Sequence, residues 1–381
     1  MRADTCEGNC VPGHPEAPVY DRRVAGIGGA HQDVRFCRAP DGVRIAYAVH
    51  GSGPPLVVTT CWLSHLQHDW QSPVWRHFLR DLGEVATVIR YDERGHGLSD
   101  RDVEDFSLEA RVGDLEAVVE HSGVDRFAVM AMSQGGPVAI RYVAAHPDRV
   151  TRVIFYGSYA AAMPDPSGED LEMQEAIDRI IKVGWSRPTA EFRRVFTTLM
   201  IPSATEEQMT WLDELQRVAV TADTLFKARQ QRVLADATDD LGRLTMPTLI
   251  LHSVDDRMND FELSRRLASH ISDARLVPLE SSNHIVLDHE PAWGVFVDEV
   301  SRFMAADGPV SADPERLLSP RELEVLRLAG DGLDNDAIAT ALTLSVRTVE
   351  RHLQNAYAKL DLTGRNARTA AVARLHARTH A

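Results

Sequence analysis

Short apolar runs separated by amphipathic helical stretches dominate residues 34–304, and this alternation narrows the fold more than any other feature of the chain. Seven runs, at 43–49, 55–59, 85–91, 127–131, 150–156, 248–253 and 275–279, read as strands. Between several of them lie segments such as 108–122 and 138–146, whose apolar residues recur with helical period. Strands that alternate with helices build a mostly parallel sheet covered on both faces, so an α/β fold is expected. The alternation stops between about 160 and 244, where the pattern is almost entirely helical. Helices inserted into an α/β domain commonly form a lid. Met163, Met173, Trp185, Phe192, Phe196, Met200, Trp211 and Phe226 are candidates either to line an apolar pocket beneath it or to form its own core.

The 381 residues exceed one ordinary domain. Residues 1–30 lack periodicity and read as a flexible tail; 31–304 read as the α/β body, 305–314 as a Gly/Pro linker, and 315–381 as a second, all-α domain. No apolar run is long enough to cross a membrane and no apolar leader is seen, so a cytoplasmic protein is expected. Four cysteines fit a reducing compartment. Cys37 and Cys61 read as small buried side chains. Cys6, Cys10 and His14 lack a fourth ligand, and no metal or cofactor is expected. The net charge of −15 argues against a chain that coats nucleic acid throughout. The balance is uneven, however: from Ser345 to Ala381 seven Lys/Arg face two acids. A basic end on an acidic body suits a small DNA-reading module.

In that end, Ser319 reads as an N-cap, Pro320 as the first helical residue and Glu322 as its capping-box partner. A short helix at 335–342, a tight turn at Thr343-Leu344 and a longer helix capped by Ser345 follow, a helix-turn-helix arrangement. The runs Leu318-Ser319-Pro320-Arg321-Glu322-Leu323, Leu344-Ser345-Val346-Arg347-Thr348-Val349-Glu350-Arg351-His352-Leu353 and Lys359-Leu360 resemble the four-helix LuxR-type domain over about 60 residues. The resemblance implies double-stranded operator DNA as partner. By position Glu350, Arg351 and Gln354 would face bases, and Arg347, Thr348 and Lys359 phosphates. A basic residue is common where Glu350 stands; an acid there repels phosphate but can accept from a cytosine amine. The resemblance also implies a fourth helix, near 365–376, and a homodimer.

In the body, Ala131-Met132-Ser133-Gln134-Gly135-Gly136 follows an apolar strand and opens a helix, the context of a Gly-x-Ser-x-Gly nucleophile elbow with Ala131 in place of the first glycine. The backbone N–H of Gln134 can then point at an oxyanion. Downstream, Asp255 and Asp256 follow one strand and His284 lies in the loop after the next. This is the order Ser, acid, His, with Asp256 favoured by family spacing and Asp255 second. These runs resemble the α/β-hydrolases, and the resemblance implies Trp62, past the strand at 55–59 where that family has its first oxyanion donor, as the other donor. Tyr91-Asp92-Glu93-Arg94-Gly95-His96-Gly97 reads as a structural loop, and His65 and His68 as a loop packing against the lid. Together with Asp41-Gly42-Val43-Arg44-Ile45-Ala46-Tyr47, these segments resemble the α/β-hydrolases over roughly 34–304, and in particular a subgroup often fused to regulatory modules. Two functions remain open from the residues: a transcription regulator whose body senses a small, largely apolar ligand such as an ester or lactone, and a working serine esterase or lactonase coupled to the DNA-binding end.

Overall fold

A computed structural model describes residues 31–59, 61–162, 168–305, 319–330 and 333–359. The body is built on an eight-stranded sheet in the order β1-β2-β4-β3-β5-β6-β7-β8. Its strands are β1 (Asp33–Arg38), β2 (Arg44–Gly51), β3 (Pro55–Thr59), β4 (Thr87–Tyr91), β5 (Phe127–Met132), β6 (Val150–Tyr156), β7 (Thr248–Ser253) and β8 (Ala274–Leu279). Pairings β1–β2 and β2–β4 are antiparallel, and all the others are parallel. Every residue of β5 and β7 is buried, as expected of central parallel strands covered on both faces. The seven expected strands are present. The additional one, β1, lies at the sheet edge with most of its residues exposed, so it carries no continuous apolar run to announce it.

The helices of the body are α1 (Leu66–Gln71), α2 (Arg76–Val85), α3 (Leu108–Ser122), α4 (Gly136–Ala145), α5 (Gly168–Gly184), α6 (Glu191–Met200), α7 (Glu206–Ala219), α8 (Ala222–Arg232), α9 (Phe261–His270) and α10 (Pro291–Ala305). Helices α5 to α8 are inserted between β6 and β7. Two apolar cores flank the sheet. One joins α2, α10 and the inserted helices; the other is built largely from α3, α4 and α9. The inserted segment is fastened over the strand ends by the backbone of Met200, which accepts from the N–H of His284 at 2.8 Å, and of Ala219, which accepts from Gly97 at 2.9 Å. Of the aromatic and Met candidates there, Trp185, Phe196 and Met200 are buried in the same core as Trp62, whereas Met173 is exposed. Met163 lies outside the described residues, as do the N-terminal tail with Cys6, Cys10 and His14 and most of the expected linker.

The C-terminal unit contains α11 (Pro320–Gly330), α12 (Asn335–Leu342) and α13 (Val346–Lys359). The capping box forms: Glu322 N donates to Ser319 Oγ at 3.3 Å, and Ser319 N to the Glu322 carboxylate at 2.8 Å. Val325, Leu326, Ile338, Val349, Leu353 and Ala356 make its buried centre. Thr343 ends α12 in the left-handed region at φ 54° and turns the chain into α13. The expected fourth helix lies outside the described residues.

Candidate active site and nucleic-acid interface

The turn from β5 into α4 places Ser133 at φ 50°, one of two non-glycine residues with positive φ among those described. Such a turn needs small neighbours. A Cβ on Gly135 would stand 2.4 Å from Thr59 Oγ1, and one on Gly136 would stand 2.0 Å from the Tyr159 carbonyl oxygen. Ser158 Oγ donates to the Ser133 carbonyl at 2.6 Å and fixes the turn from the β6 side. Ser133 and Gln134 are both buried.

Of the two candidate acids it is Asp256 that meets the imidazole: its Oδ2 lies 2.7 Å from His284 Nδ1, while Asp255 is exposed. Burial alone would push the His284 pKa down, but the Asp256 carboxylate beside it and the Cys61 thiol raise it to about 10. Burial likewise works to raise the Asp256 pKa, and the charge of His284 together with a bond from His252 brings it far below the usual carboxylate range. The carboxylate is further held by the N–H groups of Met258 and Asn259 at 2.8 and 3.1 Å. Gly157, at φ 54°, backs the imidazole so closely that a Cβ there would stand 3.0 Å from His284 Cε1.

Two residues that sequence reasoning missed complete this arrangement. His252 Nε2 lies 3.0 Å from the Asn259 carbonyl and 3.3 Å from Asp256 Oδ2, which makes it the donor, and Nδ1 then accepts from Ser264 Oγ at 2.6 Å. Asn259 Nδ2 donates to the Gly157 carbonyl at 2.7 Å and to Ser133 Oγ at 3.3 Å. Among the described residues no hydrogen bond joins Ser133 Oγ directly to His284. No spacing rule marks Asn259; only the turn after β7 brings it to the serine.

Trp62 sits on the loop beyond β3, the strand paired with β5. Its ring packs against Phe196 and Trp185 at centroid distances of 5.3 and 5.8 Å. The loop after β4 is structural in the expected sense. Arg94 makes a bidentate pair with Asp114 at 2.7 and 2.8 Å and reaches Asp41, while Asp92 accepts from the N–H groups of Leu66 and Leu98. His68 stacks on Trp211 of α7 at 4.7 Å, so the His65/His68 loop does pack against the inserted helices. Cys37 and Cys61 are free and buried.

On the C-terminal unit, α13 leaves Arg347, Glu350, Arg351 and Gln354 exposed along one side, opposite buried Val349, Leu353 and Ala356. Thr348 is half-buried; its N–H and hydroxyl both meet Ser345 Oγ, at 3.2 and 2.8 Å. Lys359 is the last residue of the helix.

A serine on a strained strand-to-helix turn, with an imidazole–carboxylate pair from the loops after two later strands of a largely parallel sheet, defines the α/β-hydrolase class. The chain belongs to the alpha/beta hydrolase fold family, which matches residues 54–291, and carries a C-terminal domain of the bacterial regulatory proteins of the luxR family, matched over residues 316–372. It is 27% identical over 241 residues to an AB hydrolase superfamily protein of Bacillus subtilis, covering 61% of this chain and 86% of that one. It is 28% identical over 260 residues to a non-heme haloperoxidase of Rhodococcus erythropolis, covering 65% and 92%. Among solved structures, an esterase from a Rhodococcus species superposes with a TM-score of 0.61 at 24% identity, covering 72% of this chain and 99% of the other. An enol-lactonase from Burkholderia xenovorans superposes with 0.57 at 21%, covering 71% and 100%. No helix among the described residues is long and apolar enough to cross a membrane.

Proposed function

We propose that the protein is a cytoplasmic, DNA-binding transcription regulator whose α/β-hydrolase body, residues 31–304, senses a small, largely apolar ligand of the ester or lactone class. A linker at 305–314 joins it to the DNA-reading module at 315–381, which pairs with a second copy on a pseudo-palindromic operator. The observation that carries this reading is the union in one chain of a luxR-family domain and a hydrolase body with a buried elbow serine. Trp62, Trp185, Phe196 and Met200 pack in one apolar cluster with Met132, the residue before the serine, and are the side chains that would have to admit such a ligand. The esterase and enol-lactonase folds support the ligand class by analogy. Ligand binding acts on DNA affinity only through a difference in affinity between two states of the protein.

A gel-shift assay on the selected operator tests the DNA half. Arg351→Ala abolishes specific binding while the body stays folded, and unchanged binding refutes the assignment of α13 to the major groove. A second reading, an active serine hydrolase coupled to regulation, is favoured by the 2.7 Å pair of His284 and Asp256 beside an elbow serine. In it His284 accepts the Ser133 proton, Asp256 holds the tautomer and steadies the imidazolium, and the N–H groups of Gln134 and Trp62 receive the oxyanion. Treatment with a serine-reactive fluorophosphonate, followed by intact-mass analysis with Ser133→Ala as control, separates the two. A single adduct that the variant loses supports the hydrolase; folded protein without adduct supports a sensor that binds without turnover.

A further inference from the structure

Arg232, at the C-terminal end of α8, is a buried charged side chain that reaches from the inserted helices to the loops after β3 and β4. Its Nη2 donates to Glu93 Oε2 at 2.7 Å, and its Nη1 to the carbonyl of Trp62 at 3.4 Å. Glu93 is itself buried and serves as the hub. The same Oε2 accepts from Gln134 Nε2 at 2.9 Å, and Oε1 pairs with Arg111 Nε. Arg111 Nη2 in turn donates to the Gln134 carbonyl at 3.1 Å, and Gln134 Nε2 reaches the Cys61 carbonyl at 3.3 Å. Both segments that flank Ser133, the Cys61-Trp62 loop and the residue after the serine, are therefore held by one buried ion cluster. Arg232 is the member that belongs to the inserted helices. Among the described residues no hydrogen bond is formed by the Trp62 backbone N–H.

We infer that Arg232 is a positioning residue that couples the inserted helices to the oxyanion-binding backbone: while α8 is seated, Glu93 and the Trp62 carbonyl are held in place, and release of α8 loosens both N–H donors together. This rests on the reading of Ser133, Gln134 and Trp62 as an acyl-accepting site. It gives that site a built-in dependence on the state of the helices above it. A group acting through backbone geometry alters the rate of bond formation more than the capture of reagent, because oxyanion donors act where charge develops. Burial lowers the Arg232 pKa to about 10 and Glu93 opposes the shift, so the guanidinium stays charged at neutral pH and the cluster stays intact.

The test uses the full-length protein and a fluorophosphonate probe, with the maximal inactivation rate and the half-saturating probe concentration measured separately. Arg232→Gln is expected to lower the maximal rate roughly 10- to 100-fold with little change in half-saturation. Arg232→Lys, which keeps the charge and a donor, is expected to recover part of the loss. A wild-type rate in Arg232→Gln, or a loss that Arg232→Lys does not recover at all, overturns the inference while leaving the triad reading intact. A wild-type protein that takes no adduct overturns both. Should Arg232→Gln fail to fold, hydrogen exchange on the wild type decides: coupling is reciprocal, so the phosphonyl adduct must slow exchange near residues 229–232. Unchanged exchange there refutes the coupling.

Discussion

At the residue scale the site is governed by which partner the serine and the imidazole hold. Ser133 Oγ accepts from Asn259 Nδ2, a bond that leaves the hydroxyl hydrogen available to His284 but occupies a lone pair of the oxygen that would attack. A neutral bond of this kind is worth about 1 kcal/mol net, so Asn259→Ala is expected to raise the phosphonylation rate about 2- to 10-fold. A fall in that rate would instead make Asn259 a support of the reactive geometry. The backbone N–H of residue 259 remains available to Asp256 in this variant, which confines the change to the side chain.

His284 provides a second prediction at this scale. The Asp256 carboxylate stabilises the imidazolium and raises its pKa, whereas the neutral ring is the form that accepts a proton from serine. The phosphonylation rate should therefore climb as pH rises above neutrality. Asp256→Asn should move the midpoint of the profile to lower pH while reducing the plateau, because the tautomer is no longer held. A midpoint that stays where it was would mean that Asp256 does not set the imidazole's charge. The stability contribution has the matching sign. For His284, raised on folding, it is complete below the unfolded pKa of about 6.5 and is lost as pH rises through the folded value. For Asp256, lowered on folding, it is present above about 3.9 and is lost as pH falls through the depressed value.

At the scale of elements, two turns among the described residues hold non-glycine residues in the left-handed region, and they have different consequences. Ser133 must be there, since the strained turn is what presents its hydroxyl. Thr343 has no such duty: its φ of 54° joins α12 to α13, and a β-branched residue is poorly suited to that conformation. Thr343→Gly is expected to stabilise the C-terminal unit by about 1 kcal/mol, read as slower hydrogen exchange in α12 and α13. Faster exchange would show that the threonine side chain contributes more than its strain costs. The first and third helices of this unit were legible beforehand because their caps are local: Ser319, Glu322 and Ser345 each act within three residues of themselves, and the structure adds Asp334 as the cap of α12. Strand β1 was not legible as an element, since an exposed edge strand lacks the burial that produces a hydrophobic run.

At the scale of the molecule, an acidic body is joined to a basic C-terminal end. Exposed Arg347 on α13 is proposed to face phosphate, so Arg347→Ala should weaken binding to all sequences alike and reduce the slope of log K against log salt by about 0.9. Loss of preference for the operator with an unchanged slope would place that residue against a base instead.

How the chain divides between what sequence dictates and what folding decides follows from the range of the forces involved. Periodicity, capping residues and the small residues of the elbow act within one turn or one strand. The strand–helix alternation, the nucleophile turn and the helix-turn-helix unit could therefore be read from neighbours in sequence. The order Ser133, Asp256, His284 was legible too, since each stands just after a strand of a recognisable series. Which acid meets the imidazole, however, depends on the direction in which the chain leaves β7. The role of Asn259 follows from that same loop, which also brings Asp256 and Asn259 back to His252 on β7, and the Arg232–Glu93 cluster joins residues 139 positions apart. Charged groups in such a cluster are stable out of water only when their partners are delivered to within hydrogen-bonding distance, and the packing of α8 over the sheet is what delivers them.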